Sequence, residues 1–349
     1  MEHTITIGMD LGDLSHLVVV QDDAGNELDM AKVINTKKAV GHYFKDYAGA
    51  TVALEAGTHS PWISRLLSEL GCTVYVGNPR KLRMIWDSND KSDERDARML
   101  AMVCRVEPKL LSPIKHRGRQ AQTDLSLIRS REVLVKNRTS LINHARGLVK
   151  SFGERLPKCS AASFAKRCES EIPSYLLSAL KPVFTVISAI SEQIRDLDKQ
   201  IETLGKERYP EVQLLKSVPG VGALTSLAFV LTIDDPARFG KSRQVGPYLG
   251  LTPRKDQSGQ SDKQLPITKA GDGYLRQLLV SCAQYILGPF GPGSHLRRHG
   301  HKLAVRGGKN AKKRAAVAVA RKLSVLLHRM WVTGEAYDPF YQPNMQKAS

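Results

Sequence analysis

Thr4-Ile5-Thr6-Ile7-Gly8-Met9-Asp10-Leu11-Gly12 is β-rich and ends in an acid between two glycines. A second strand candidate follows at His16-Leu17-Val18-Val19-Val20-Gln21, and a weaker third at Leu28 to Ile34. Ala50-Thr51-Val52-Ala53-Leu54-Glu55 is a fourth, and it too ends in an acid. Ser60 to Leu70 then alternates like a helix, with Trp62, Ile63, Leu66, Leu67 and Leu70 on one side. Cys72 to Val76 is a fifth strand, stopped by Gly77-Asn78-Pro79, and a helix is expected from roughly Arg95 to Val106.

Three early strands, then strand, helix, strand and helix, is the order of the ribonuclease-H-like fold. Asp10 and Glu55 then project from strand ends onto one edge of the sheet. In Lys91-Ser92-Asp93-Glu94-Arg95-Asp96, the acids Asp93 and Asp96 are three apart and share a helical face. Carboxylates brought so close repel one another unless a cation neutralises them. Hard divalent ions with oxygen ligands would do so, and could polarise a scissile phosphate. Each acid alone has a plainer reading. DxG after a strand also occurs in sugar-kinase and actin-like ATPases, Asp93 can be a helix N-cap, and Asp96 can pair with Arg95 or Arg98. Glu94 and Asp13 are read as outward-facing. The ordered set of four carries the expectation.

Charge narrows the partner. The 349 residues hold 52 Lys or Arg against 34 Asp or Glu, a formal charge of +18. That excess points to nucleic acid. A membrane is not expected, since no apolar run looks long enough to span one, and no basic-then-apolar signal peptide opens the chain. The expected location is the bacterial cytoplasm, at the nucleoid. Cys72, Cys104, Cys159, Cys168 and Cys282 lack CxxC spacing and read as reduced thiols. From Gly273 to Gly334 there are twelve Lys or Arg and no acid. Arg297-Arg298 through Lys312-Lys313-Arg314 is the densest part, and reads as a phosphate-binding surface.

Past Pro113, Gln120 to Val149 is one long helix candidate. Leu127, Leu134, Leu141 and Leu148 recur every seven residues, with Arg131 and Arg138 beside the stripe, placed to face a phosphate backbone. Ser151 to Pro173 reads as irregular loop. Leu176, Leu180, Val183, Ile187, Ile190, Ile194, Leu197, Ile201 and Leu204 then form a heptad seam whose good helix begins at Pro182. A helical hairpin within the chain and a coiled coil between protomers explain this seam equally well.

Pro219-Gly220-Val221-Gly222 between two helices is a helix–hairpin–helix signature, its glycines closing a turn whose N–H groups can bind phosphate. A plain turn between core helices is the other reading. Arg254 to Ser261 is a polar loop that could hold a serine in solvent. Composition gives Ser258 no special standing, with no GxSxG elbow and no obvious partnered His. His295, His299 and His301 read as part of the basic face.

With these motifs quoted, the chain resembles the insertion-sequence transposases of the Asp-Glu-Asp-Asp type, the bridge-RNA-guided recombinases that include the Piv-type DNA invertases. The resemblance rests on residues 8–12, 54–57, 77–79 and 91–98, then on 219–222, 248–253, Ser258-Gly259 and 269–276. It implies an α/β RuvC-like domain over 1–110, a helical coiled-coil domain over 111–210, a mainly helical transposase domain over 211–330 and a tail at 331–349. It implies that Asp10, Glu55, Asp93 and Asp96 hold Mg²⁺ (or Mn²⁺) and that Ser258 is the nucleophile. It also implies donor and target DNA and a structured bridge RNA as partners, and a homo-oligomer, dimer assembling to tetramer. The segment Thr58-His59-Ser60-Pro61-Trp62 is one where the family varies. A Holliday-junction-resolvase-type nuclease using only the four acids, and a non-enzymatic nucleic-acid-binding protein, are the competing readings.

Overall fold

The computed structural model describes residues 5–86, 92–258, 261–262 and 265–340. The chain forms two compact units, Met1–Arg117 and Gly118–Ser349. The first holds the five expected strands: β1 (Thr6–Leu11), β2 (Ser15–Gln21), β3 (Glu27–Ile34), β4 (Thr51–Glu55) and β5 (Thr73–Gly77). They form one sheet in the order β3-β2-β1-β4-β5. β1, β2 and β3 pair antiparallel, while β4 joins β1, and β5 joins β4, in parallel. Parallel neighbours need crossover connections, and helices supply them.

Those helices are α1 (Lys37–Phe44) and α2 (Ser60–Glu69), followed by α3 (Pro79–Trp86) and α4 (Asp93–Val106). The sequence reading misses α1 and α3. α1 buries only Val40 and Phe44, too brief a stripe to show a period, and Thr36 Oγ1 caps it by accepting from Ala39 N at 3.2 Å. α3 begins at Pro79, which reads as a stop but suits a first helical position.

Strand alternation separates two cores. Ile7, Met9, Val52 and Leu54 pack with Phe44 of α1 and Ile63 and Leu67 of α2. Ala53 faces the other way, toward Leu100, Val103 and Cys104 of α4. Each fully buried large aliphatic contributes roughly 1.5–3 kcal/mol of transfer free energy. The unit runs past 110 because the chain turns back onto β5. Asn78 N donates to Leu111 O at 3.0 Å and Ile114 N to Val76 O at 2.8 Å, with Leu111 buried.

The second unit is helical apart from one ribbon. Its elements are α5 (Arg119–Ser151), α6 (Phe164–Cys168), α7 (Leu177–Glu207), α8 (Glu211–Leu215), α9 (Ala223–Ile233), α10 (Val245–Tyr248), β6 (Gln257–Ser258), β7 (Ser261–Asp262), α11 (Gly273–Leu287), α12 (His295–Val305) and α13 (Ala311–Thr333). α5 serves two cores. Ala121, Leu125 and Ile128 pack with α9, α11 and α13, and Ile142, Ala145 and Val149 pack with α6 and α7. The expected stripe of Leu127, Leu134, Leu141 and Leu148 is only partly buried. Burial follows spacings of three and four at each end, as an unsupercoiled helix requires.

α7 starts at Leu177, five residues before Pro182, which lies inside it. The missing Pro182 N–H removes one helical hydrogen bond. Leu180 and Phe184, both buried on α5 and α6, hold that turn in place. The seam residues Leu180, Ile187, Ile194 and Ile201 are buried, and α7 packs on α5 within the same chain. Contrary to the sequence reading, the 34 residues Ser174–Glu207 are long and apolar enough, by length and composition alone, to cross a membrane. The stretch read as loop contains α6, whose Phe164 stacks on Phe184 with ring centroids 5.1 Å apart. All five cysteines are free thiols.

Candidate active site

Register brings two of the four acids together. β1 and β4 pair in parallel through Gly8↔Ala53 and Met9↔Leu54, so Asp10 and Glu55 follow one step on at adjoining strand ends. Period two puts both on the face of Gly8 and Ala53, the face that α4 covers. α4 lies unusually close there. A Cβ at Gly8 would sit 1.9 Å from Ala97 O and 2.5 Å from Ala101 N. Asp93 lies one turn before Ala97 and Asp96 directly before it, both in the first turn of α4. Gly8 is therefore the residue that lets the helix bring its two acids to the strand ends.

Ser92, not Asp93, caps that helix, its Oγ accepting from Arg95 N at 3.2 Å. Asp93 is thereby released from the capping role that the sequence left open. Glu94 instead pairs with Arg98 at 3.4 Å on the exposed side. Asp13 is 93% exposed and meets His59 Nε2 at 3.3 Å. Lys91 lies outside the described residues.

The electrostatics register the convergence. Burial, then the charges of Asp93, Asp96 and Glu55, push the Asp10 carboxyl up from 3.8 to about 6. Among the described residues, no three His, Cys, Asp or Glu side chains are gathered tightly enough to hold an ion as they stand. Asp10 thus feels the other three carboxylates without their oxygens having closed on one point. Proximity of charge is the more telling observation, because carboxylate rotamers adjust to a ligand while strand register does not. An all-carboxylate donor set of this kind fits a hard divalent cation.

In the second unit, the described residues of 252–268 pair as an antiparallel ribbon. Thr268 N donates to Thr252 O at 2.9 Å and Arg254 N to Pro266 O at 3.0 Å. Farther out, Gln257 pairs with Asp262 and Ser258 with Ser261. Ser258 is exposed, with exposed Arg254 and Lys255 nearby in sequence, whereas Gly259 lies outside the described residues. The ribbon's base is tightly interlocked. A Cβ at Gly250 (φ +66°) would meet Ala270 N at 2.2 Å, and one at Gly271 (φ +65°) would meet Tyr248 O at 2.2 Å. Arg276 Nη1 clamps both sides, donating to Leu249 O at 2.9 Å and Ala270 O at 2.7 Å. The motifs at 248–253 and 269–276 are thus two halves of one mounting for the ribbon that carries Ser258.

The remaining candidates divide by exposure. Lys312, Lys313 and Arg314 are exposed beside the exposed loop 306–310, and Arg298 is exposed over the Phe340 ring at 5.7 Å. Arg297 is turned inward, Nη1 donating to Ile286 O at 2.8 Å. Arg131 bonds Asp198 and Tyr274, and Arg138 Nη1 donates to Ser191 Oγ at 3.3 Å, so both tie α5 to neighbouring helices in place of facing outward. Gly220, at φ +86°, makes the turn between α8 and α9, and Gly222 is the N-cap of α9. α9 is buried from Thr225 through Ile233. Burial and the charge of Lys322 hold His295 and His299 below the usual histidine range, as befits members of a basic face.

Comparison with known proteins agrees with this geometry. A transposase family model of the Asp-Glu-Asp-Asp, IS110 type matches residues 7–153, and that of the IS116/IS110/IS902 transposase family matches residues 212–295. Transposase domains of the first type generally use divalent metal ions. The chain is similar to the transposase for insertion sequence element IS1111A of Coxiella burnetii, 29% identical over 83% of this chain and 79% of that one. It is similar to the transposase for IS1328 of Yersinia enterocolitica, 28% identical over 81% and 84%. A putative transposase of Sinorhizobium fredii is 29% identical over 97% and 86%. The first unit's mixed sheet, ordered as in RuvC-like domains and followed by a helical second unit, is the architecture these matches lead one to expect. The chain belongs to the IS116/IS110/IS902 family of transposases, enzymes that cut and rejoin DNA.

Proposed function

We propose that this transposase works through a covalent link between DNA and Ser258, guided by a structured non-coding RNA. The observation that carries the proposal is the convergence of charge on Asp10 in one unit, together with an exposed serine on a braced ribbon in the other. A metal-dependent nuclease that activates water needs the acids but has no use for the ribbon.

In the proposed reaction Ser258 Oγ attacks the phosphorus, its proton passing to solvent. The P–O3′ bond breaks, the 3′ oxygen leaves and takes up a proton, and a 5′-phosphoserine remains. One phosphoester replaces another, so bond energy is retained and rejoining needs no ATP. In the reverse step a 3′-hydroxyl of the exchanged strand attacks the phosphoserine and restores Ser258. Asp10, Glu55, Asp93 and Asp96 would hold Mg²⁺ (or Mn²⁺), which supplies Lewis-acid stabilisation of charge on the phosphate and leaving oxygen when bound. Arg254 and Lys255 would draw the phosphate to the ribbon.

The acid-free stretch 273–334 supports binding of donor and target DNA and of a bridge RNA, with Arg298, Lys312, Lys313 and Arg314 exposed for it. The Gly220–Gly222 turn would act as a helix–hairpin–helix phosphate contact. A homo-oligomer, dimer assembling to tetramer, would let one subunit's acids serve another's serine. Val183, Ile190 and Leu197, only partly buried on α7, leave a coiled-coil seam for it.

The test incubates the protein with Mg²⁺, DNA and RNA transcribed from the flanks of its own gene. A denaturation-resistant protein–DNA adduct is expected, and it should vanish in Ser258→Ala. If Ser258→Ala still cuts at the wild-type rate, water is the nucleophile and the resolvase-type reading replaces this one.

A further inference from the structure

We propose that a cleft in the second unit seats single-stranded polynucleotide, an unstacked base resting on its apolar floor and the flanking phosphates on its cationic rim. The inference rests on the reading above only in taking the ligand to be nucleic acid. The cleft encloses about 850 Å³. One wall is a single face of α13: Arg321, Lys322, Val325, Leu326 and Arg329, spaced i, i+1, i+4, i+5 and i+8. Lys241 and Arg243, before α10, also line it. Five Lys or Arg thus line the cleft with one carboxylate, Asp338, and of the five Arg329 is paired with Glu335. None of the five belongs to the basic run at 297–314.

The floor differs from a plain phosphate groove. Val325 and Leu326, at the base of the α13 face, join Pro247 and Leu296 as its apolar lining, and Tyr337 adds an aromatic residue. The segment bearing Tyr337 is strapped down, with His295 N donating to Pro339 O and Arg329 Nη2 to Glu335 Oε2, both at 2.7 Å. A duplex hides its base faces in the stack and could use only the rim. A single strand offers both a base face and phosphates, the pairing this lining matches. Charge adds to the case. Burial, then Arg321, holds the Lys322 ammonium below its ordinary pKa, so an anion in the cleft would relieve both neighbours.

The test is fluorescence anisotropy in EDTA, which prevents cutting, using labelled single-stranded DNA, single-stranded RNA and duplex DNA of one sequence. The double variant Arg321→Gln/Lys322→Gln removes two rim charges. Its single-strand affinity should fall about tenfold at 150 mM KCl, with the log–log salt slope reduced by about 1.4. Val325→Trp fills the floor and keeps every charge. It should weaken single-strand binding at least threefold at unchanged salt slope. Duplex affinity should change less than twofold in Val325→Trp, and in the double variant it should fall by less than single-strand affinity does. The drop is expected for whichever of DNA or RNA binds more tightly, and that strand names the source. Wild-type single-strand binding in both variants, or equal losses for duplex and single strand, would overturn the proposal. Adduct formation by Ser258 is read separately in Mg²⁺, so either idea can fail alone.

Discussion

Replacing Asp10 by Asn should stabilise the metal-free protein while abolishing strand cleavage. Asp10 has its pKa raised from 3.8 to about 6 by burial and by Asp93, Asp96 and Glu55. An acid whose folded pKa exceeds its unfolded value binds more protons when folded across that interval. Stability is therefore undiminished below about pH 4 and falls as pH rises toward about 6. The full shift corresponds to about 3 kcal/mol at neutral pH. Asp10 is only partly buried, and discounting for solvent screening leaves about 1–2 kcal/mol. Asn removes the charge at nearly constant shape. In EDTA at pH 7.5 the variant should melt roughly 3–6 °C higher than wild type, and at pH 4 the two should coincide. Saturating Mg²⁺ should raise the wild-type midpoint and move the variant far less, since ligand binding stabilises only the state that binds it. A differential-scanning series over pH, with and without metal, reads all three. A variant that is less stable than wild type in EDTA at pH 7.5, or equally shifted at pH 4, would refute the claim that four carboxylates converge on this strand end.

Other perturbations probe the scaffold. Gly8→Ala forces a methyl to within 1.9 Å of Ala97 O, so α4 must lift; about 1–3 kcal/mol of stability and nearly all cleavage should be lost, measured by urea unfolding and a nicking assay. Asp124 is 5% exposed; burial pushes its pKa up, but hydrogen bonds from Tyr209, Gln120 and Arg208 outweigh this and hold it below the usual range. Asp124→Ala leaves a half-exposed Arg208, so it should cost about 1.5–3 kcal/mol at pH 7 and less in acid, where the carboxylate is protonated in either state. Ser92→Ala removes the cap of α4, for a loss of about 0.5–2 kcal/mol and a weaker response to Mg²⁺ in the same melting assay.

What the sequence determined alone is local. β1, β2, β4 and β5 are legible because side chains alternate along a strand with period two whatever the strand later touches. Asp10 and Glu55 are legible for the same reason, each closing an apolar run. α2 and α4 show their apolar faces within a few turns. Ser258 is unremarkable by composition, and only the resemblance carried by the motifs around it singles it out as a candidate. Tertiary structure decided which partner each face meets. Gly8 looks like any strand glycine until Ala97 is found against it. Arg131 and Arg138 look like a basic stripe, yet they bond to Asp198 and Ser191 across to α7. α5 carries a heptad in its letters, but its buried positions follow two separate cores. The cleft beside α13 joins residues from 241 to 339, a separation that no periodicity spans. Periodicity is a property of one segment's backbone, whereas burial, pairing and pKa depend on atoms that distant segments deliver, and only the folded chain determines which those are.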